Sequence, residues 1–292
     1  MITRKKFRLC LPSRTLLLGE RTLLMGVVNV TPDSFSGDGV HLDAEAAAAR
    51  ALEMQRGGAD ILDLGGESTR PGADWLAAEE ELRRVIPVLK LLRGRLKIPI
   101  SIDTNKSAVA EAAAEAGAEI INDVTALRRD PRIAEVARRR KLPLILMHMR
   151  GEPRTMQTQP FARDAMREVT QALKKAANAA IRAGVPKSQL VLDPGIGFGK
   201  SFAQNYELIV RLPELARLGF PLLLGPSRKG FIGRTLGGVP ESERAFGTAA
   251  AVTACILQGA HIVRVHDVCE MAQVARVADM LVSKELRRRG IG

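Results

Sequence analysis

Eight short apolar segments of this chain each give way to residues that hydrogen bond or ionise. Asn29 follows LLMGVV, Glu67, Ser68 and Thr69 follow ILDLGG, Asp103 and Thr104 follow ISI, and Asn122 and Asp123 follow EII. Further on come His148, Asp193, the trio Ser227, Arg228 and Lys229, and finally Arg264 with His266. Asp and Asn often end a strand merely to cap a helix or shape a turn. That accounts for Asn29, Thr104 or Asp123 singly, but not for anions after the third and sixth segments, cations at the seventh and eighth, and amides between. Such a set suits a ligand with a donor-rich, guanidine-like heterocyclic edge and an anionic end. Asp103 and Asp193 accept from adjacent N–H groups, Asn122 both donates and accepts, and Lys229, Arg264 and His266 match phosphate oxygens. An arginine also lies flat on a heteroaromatic face.

Two loops add to this set. NVTPDSFSGDG, residues 29–39, holds Asn29, Thr31, Asp33, Ser34, Phe35, Ser36 and Asp38 between a buried strand and an alanine-rich helix. A connection of that length is usually functional or unstructured, and one that begins on a buried strand is anchored. Asp33 and Asp43 are expected as caps, and Glu79 to Glu81 as first-turn acids facing a helix dipole. The second loop, DPGIGFGKS at 193–201, imitates a phosphate-binding loop. Its required first glycine is Pro194, and the dinucleotide fingerprint fails at Lys200. The glycines are then read as letting backbone and Phe198 approach a flat ligand. His41 and His261 lack sequence partners and are expected on the surface or in the core.

These residues need a scaffold. Segments rich in Val, Ile and Leu at 23–28, 61–64, 98–102, 119–121, 143–147, 190–192, 221–224 and 262–265 predict eight strands. Stretches of helical periodicity lie between them, among them AEAAAARALEMQRGG and AEEELRRVIPVLKLLRG. Eight alternations predict an α/β fold of the TIM (β/α)8 barrel type with a short N-terminal hairpin. The continuous apolar runs fit strands buried on both faces. A doubly wound open sheet competes, since local pattern does not reveal closure. Gly58, Gly117, Gly184, Gly219 and Gly259 follow periodic runs and predict helix stops. With no linker or change in composition, residues 1–292 are expected to form a single barrel domain, with 1–22 as an extension covering the barrel bottom.

The totals narrow the functional class. Of 292 residues, 46% are hydrophobic and 26% charged, as in a soluble globular protein. No apolar run approaches the ~20 residues of a membrane span, and the N-terminus lacks a signal peptide pattern, so a cytoplasmic location without membrane partners is expected. Cys10, Cys255 and Cys269 have no CxxC spacing and read as free, mostly buried thiols. The net charge of +12 raises the question of nucleic acid. RKKFR, RRRK and RRR are read instead as solvated surface, and one Trp with one Tyr makes a poor stacking platform for single strands. No nucleic-acid partner is expected.

The segments MGVVNVTPDSFS, DLGGESTRPGA, ISIDT, IINDV, LMHMRGEPRTMQ, LDPGIGFGK, GPSRKG and HIVRVHD, between residues 25 and 267, resemble the dihydropteroate synthase family in family order. The resemblance implies a TIM-type barrel that joins 6-hydroxymethyl-7,8-dihydropterin diphosphate to 4-aminobenzoate, releasing pyrophosphate with Mg2+, usually as a homodimer and as a target of sulfonamides. It implies that Asp103, Asn122, Asp193 and Lys229 hold the pterin, with Met147, Gly225 and Phe198 nearby. Arg264 stacks on the pterin and meets the diphosphate with His266, Thr69 and Asn29, and Asn29 also ligates Mg2+. Phe35, Thr69, Arg70, Pro71 and Ser227 form the aminobenzoate side. The opening loop folds over the diphosphate and the aminobenzoate. The family loop commonly reads SFSDGG where this chain has SFSGDG, which displaces the catalytic loop acid by one position to Asp38.

A pterin-dependent methyltransferase acting on methyltetrahydrofolate is the alternative within the same fold. It leaves the DSFS loop, TRPG and SRK without a task. A basic RNA-binding barrel is the non-enzymatic alternative, and it predicts steep salt-dependent binding.

Overall fold

The computed structural model describes residues 4–30, 44–158 and 163–283. An antiparallel hairpin comes first, β1 (Phe7–Cys10) with β2 (Thr15–Leu18). Eight parallel strands follow: β3 (Leu23–Asn29), β4 (Ile61–Gly65), β5 (Ile100–Asp103), β6 (Ile120–Asp123), β7 (Leu144–Met147), β8 (Leu190–Asp193), β9 (Leu223–Leu224) and β10 (Ile262–Val265). They are ordered β8-β7-β6-β5-β4-β3-β10-β9, and a parallel bridge between Leu192 and Leu222 brings the two edges together. The expected (β/α)8 barrel with its N-terminal hairpin is therefore the fold.

Helices α1 (Ala44–Arg56), α2 (Ala78–Leu92), α3 (Ser107–Glu115), α4 (Ile133–Arg140) and α5 (Ala165–Arg182) each follow one strand. Two strands are followed by two helices apiece, which makes ten among the described residues instead of eight. After β8 the chain breaks at Arg211 into α6 (Phe202–Val210) and α7 (Leu212–Ala216), with Pro213 opening the second. After β9 come α8 (Gly230–Thr235) and α9 (Ala245–Leu257), and α10 (Val268–Val282) closes the layer. The expected glycine stops hold: Gly58, Gly117, Gly184, Gly219 and Gly259 have φ of +103°, +111°, +94°, +76° and +104°.

Side chains alternate along each strand, and this alternation builds the site. Ile61, Ile120, Ile145, Val191, Leu223 and Ile262 meet inside the lower barrel, whereas Leu62, Ile121, Leu144, Leu192, Leu224 and Val263 pack outward with the helices. Two residues beyond each inner apolar residue the chain again faces inward. Those positions are Asp63, Asn122, Met147, Asp193, Gly225 and Arg264. From the hairpin, Leu9, Leu11 and Leu18 pack onto the lower layer and stop the barrel at that end.

Three expectations are corrected. The seventh strand was expected at 221–224 but spans 223–224, because Pro221 has no N–H and the Leu222 N–H donates to His261 Nδ1 at 3.1 Å. Glu81 stands in the first turn of α2 as expected, but its partner there is a cation rather than the helix dipole alone. It is fully buried and pairs with Lys106 Nζ at 2.6 Å. Of the three free cysteines only Cys255 is buried, while Cys10 and Cys269 are exposed. His261, expected as a surface or core residue, is in the core, its Nε2 2.9 Å from the Lys5 carbonyl oxygen.

Candidate active site

The centre of the upper barrel is an ion triad. Arg264 on β10 donates from Nε to Asp63 Oδ2 on β4 at 2.6 Å and from Nη2 to Asp103 Oδ2 on β5 at 2.9 Å. Asp63 is fully buried, and it also accepts from Asn122 Nδ2 on β6 at 3.0 Å. An acceptor at Nδ2 fixes the amide's orientation, so the Asn122 carbonyl oxygen is the group left for a ligand donor. Burial, and then the neighbouring charge of Asp63, push the Asp103 carboxyl well above the ordinary range. Asp63 is the residue that sequence reasoning missed. Its signal was an acid inside an otherwise apolar run, at the inward parity of Ile61.

Across the barrel, Asp193 on β8 accepts the Gly195 N–H at 2.7 Å. Burial raises its pKa to about 6, against the opposing pull of that N–H, Lys200 and Lys229. The loop after β8 lies hard against the chain after β7. Gly195 has φ +68°, and a Cβ there would collide with the His148 carbonyl oxygen. Lys200 fastens the contact, its Nζ donating to the carbonyl oxygens of His148 and Gly195 at 2.8 Å each. Lys200, passed over as part of a failed phosphate-loop motif, is a buried strut whose pKa burial lowers to about 7. Lys229 Nζ stands 3.8 Å from the Phe198 ring centre, and burial followed by the charge of Arg264 brings its pKa down to about 8.

Ser227 and His266 join the ends of the seventh and eighth barrel strands, with Ser227 Oγ 3.0 Å from His266 Nδ1. Burial, and then the charge of Arg264, hold His266 near 3, so the expected cation there is a neutral imidazole. Arg228 adopts a left-handed conformation, φ +57°, and pairs with Asp267 at the edge of the mouth.

A cavity of about 400 Å³ opens above these groups. Of the sequence-predicted residues, Asn29, Glu67, Ser68, Thr69, Arg70, Pro71, Asp103, Phe198, Gly225, Ser227, Arg228, Lys229, Arg264 and His266 line it. Asn122, Met147 and Asp193 lie deeper, each at most 5% exposed. Phe35 and Asp38 lie outside the described residues. Three members of the expected ring are not part of it, the first being Thr104, which is buried and accepts the Lys106 N–H at 3.3 Å. Asp123 points outward from β6 and accepts the N–H groups of Thr125 and Leu127 at 2.8 and 2.6 Å. His148 is buried on the outer face, 3.8 Å from Glu168, with burial holding it neutral.

The triad has a measurable cost when broken. Removing one partner of a buried ion pair leaves an uncompensated charge and costs about 3–5 kcal/mol. Arg264→Ala is expected to lose that much in urea denaturation, and Asp63→Asn added to it is expected to recover most of the loss. Equal stability of the single and double variants would contradict the pairing.

A family profile described as "Pterin binding enzyme" matches residues 25–266. The dihydropteroate synthase of Synechocystis sp. is 49% identical over 90% of this chain and 91% of its own length. Among solved structures, Yersinia pestis dihydropteroate synthase in a sulfonamide drug complex superposes with a TM-score of 0.89 at 41% identity, covering 94% of this chain and 99% of that one. Xanthomonas albilineans dihydropteroate synthase with 4-aminobenzoic acid gives 0.88 at 44% identity, over 95% and 98%. A cavity floored by buried carboxylates and an amide, and rimmed by Lys229 and Arg264, thus sits in a chain that belongs to the dihydropteroate synthase family of pterin-binding enzymes.

Proposed function

We propose that this chain condenses 6-hydroxymethyl-7,8-dihydropterin diphosphate with 4-aminobenzoate, giving 7,8-dihydropteroate and pyrophosphate in folate biosynthesis. The observation that carries the reading is the floor of the cavity, where inward-facing Asp103, Asn122 and Asp193 present acceptors beside the Arg264 guanidinium. The pterin's amino and ring N–H groups donate to Asp193 and to the Asn122 oxygen, and Asp103 and Lys229 complete the edge. Met147, Phe198 and Gly225 leave a flat, partly apolar slot. Arg264, held in plane by two carboxylates, offers its face to the pterin and its charge to the diphosphate. Thr69, Ser227 and His266 add polar groups, and the aminobenzoate lies toward Thr69, Arg70, Pro71 and Ser227. Phe35 and the loop acid Asp38 belong to the proposal on the strength of sequence alone.

In the reaction the C–O bond to the pterin methylene breaks with its electron pair leaving on pyrophosphate. The dihydropterin delocalises the positive charge, and the arylamine nitrogen forms the new C–N bond and loses a proton. Lys229 and Arg264 act by stabilising developing negative charge. No protein nucleophile is required. No group of three or more His, Cys, Asp or Glu side chains able to cage a metal exists among the described residues. Mg2+ commonly takes one or two protein oxygens and completes its shell with substrate phosphates and water. The donors fit that mode. A Cβ on Gly65 would lie 3.5 Å from Asn29 Oδ1 and 3.7 Å from Asp103 Oδ2, so both oxygens share one corner of the mouth. Asn29 would hold the ion, which when bound supplies positive charge to the departing pyrophosphate.

The same reading includes a homodimer. Helix α9 carries no charged residue and exposes Phe246 at 91%, and α10 exposes Val277 and Met280. Exposed apolar groups of this kind commonly mark a contact surface. The proposed setting is the cytoplasm, in keeping with three unpaired cysteines. No helix among the described residues is long and apolar enough to cross a membrane.

Pyrophosphate release is expected only when both the pterin diphosphate and 4-aminobenzoate are present, and release with either one alone would overturn the reaction. Asp193→Ala removes two charge-assisted hydrogen bonds worth roughly 1.5–3 kcal/mol each, so a loss of more than about a hundredfold in kcat/KM is expected.

The pH profile follows from two groups. Asp193 accepts only as carboxylate, so kcat/KM for the pterin diphosphate should fall as pH drops through about 6. Lys229 acts only as ammonium, so it should fall again as pH rises through about 8. Lys229→Arg, whose guanidinium stays charged, is expected to abolish the alkaline limb even if turnover drops. An unchanged alkaline limb would assign it to another group. For the dimer, Phe246→Glu is expected to sediment as a monomer where the wild type sediments as a dimer.

A further inference from the structure

The connection from β4 to α2 delivers Thr69, Arg70 and Pro71 to the cavity, and one buried carboxylate closes its base. Glu67 stands at the start of the loop with its side chain 3% exposed. Its Oε1 accepts the N–H of Leu76, at the loop's far end, at 2.5 Å, and so ties the two ends together. The same oxygen accepts from Lys106 Nζ at 2.9 Å, and Oε2 accepts from Asn105 Nδ2 at 2.6 Å. Lys106 continues to Glu81 Oε2 on α2, so the loop base is fastened to both the third βα connection and the second helix. Glu81 Oε1 and Asn105 Oδ1 are buried without a protein partner, as befits an assembly kept for geometry rather than for full satisfaction of its groups.

The other ties of this loop are of a different kind. Arg70 meets Glu241 at 3.3 Å and Arg154 meets Asp74 at 3.3 Å, both between exposed side chains. Such surface pairs hold a loop weakly. The Gly72 N–H donates to the Pro153 carbonyl at 2.9 Å, and the Arg129 guanidinium lies 4.2 Å from the Trp75 ring centre. Glu67 is the tie in which a buried charge receives three donors.

We infer that Glu67 is a positioning residue for the arylamine subsite: its carboxylate clasps the loop from 68 to 76 at the base, with Lys106 and Asn105 holding the clasp, and so sets Thr69, Arg70 and Pro71. This rests on the proposed synthase activity, because it assigns the loop to one of two substrates. The clasp does not touch Asp193, Asn122 or Lys229, so its loss acts chiefly on the arylamine side and reaches the pterin diphosphate only through Thr69 and the charge that Glu67 places near Asp103. Glutamine is a sharp probe. It has one acceptor oxygen where Glu67 has two, and its NH2 must face either Asn105 or the Lys106 and Leu76 donors.

Trp75 is the only tryptophan of the chain and adjoins Leu76, so its fluorescence reports on the loop directly. In the full-length protein without substrates, Glu67→Gln is expected to raise the acrylamide quenching constant of Trp75 by about twofold or more, since a loop freed at its base opens locally. Lys106→Met, which reaches the loop through Glu67, is expected to act in the same direction. In steady-state assays Glu67→Gln is expected to raise the KM for 4-aminobenzoate about tenfold or more, and that for the pterin diphosphate by a several-fold smaller factor, since only Thr69 of the loop also serves the diphosphate. Glu67→Ala should enlarge both effects; if it does not fold, the glutamine variant carries the test. Unchanged quenching in a folded Glu67→Gln protein, or the two KM values rising by the same factor, would overturn the inference. If the wild type makes no pyrophosphate from the two substrates, the synthase reading fails, and the quenching comparison still judges the clasp.

Discussion

A guanidinium held between two carboxylates inside a barrel is the constraint on which the upper half of this molecule depends. Asp63 is fully buried, and a buried carboxylate is tolerated only with compensating charge and hydrogen bonds. Arg264 supplies the charge, and Asn122 supplies one of the bonds. In doing so Asp63 fixes the plane of Arg264 and the flip of Asn122 together, which are two of the groups proposed to hold the pterin. Asp103, drawn to the same guanidinium, is fixed third. One acid that does not line the cavity therefore orients two residues that do, Arg264 and Asp103, and the amide of Asn122 beneath them.

Opposed charges also leave several groups able to titrate near neutrality. Asp193 near 6, Lys200 near 7 and Lys229 near 8 are each displaced toward neutral pH by burial in a shared low-dielectric interior. A site in this condition binds an ionic substrate without itself being strongly charged. Its polar groups are already oriented and largely stripped of water, so little reorganisation accompanies the departure of pyrophosphate.

The barrel was legible because strands buried on both faces write continuous apolar runs, and because glycine at helix ends marks each return to the sheet. The polar rim was legible as a set but not in its facing. Adjacent residues at a strand end point opposite ways, so Asn122 faces in and Asp123 out, and His148 lies behind Met147. Parity settles this only once one inward residue is known, which is also why Asp63 passed unnoticed. Glu81 holds its expected first-turn place, but its ion pair with Lys106 was not legible, because a first-turn acid and a buried ion-pair partner look alike in one dimension. The ninth strand was overestimated because its neighbour His261 takes a backbone donor from across the chain. The loop with Phe35 and Asp38 was the most conspicuous sequence feature, and it lies outside the described residues.

The hairpin at the start of the chain has a bearing on how the fold is reached. Leu9 and Leu18 seat against residues from β3, β4, β6, β7, β8, β9 and β10, and Arg4 binds the Ala260 carbonyl and Asp279 near the other end of the sequence. No such seat exists until the last strand has joined the first. The hairpin therefore finds its place only on a completed cylinder, and its docking acts as a seal over the lower end of the barrel.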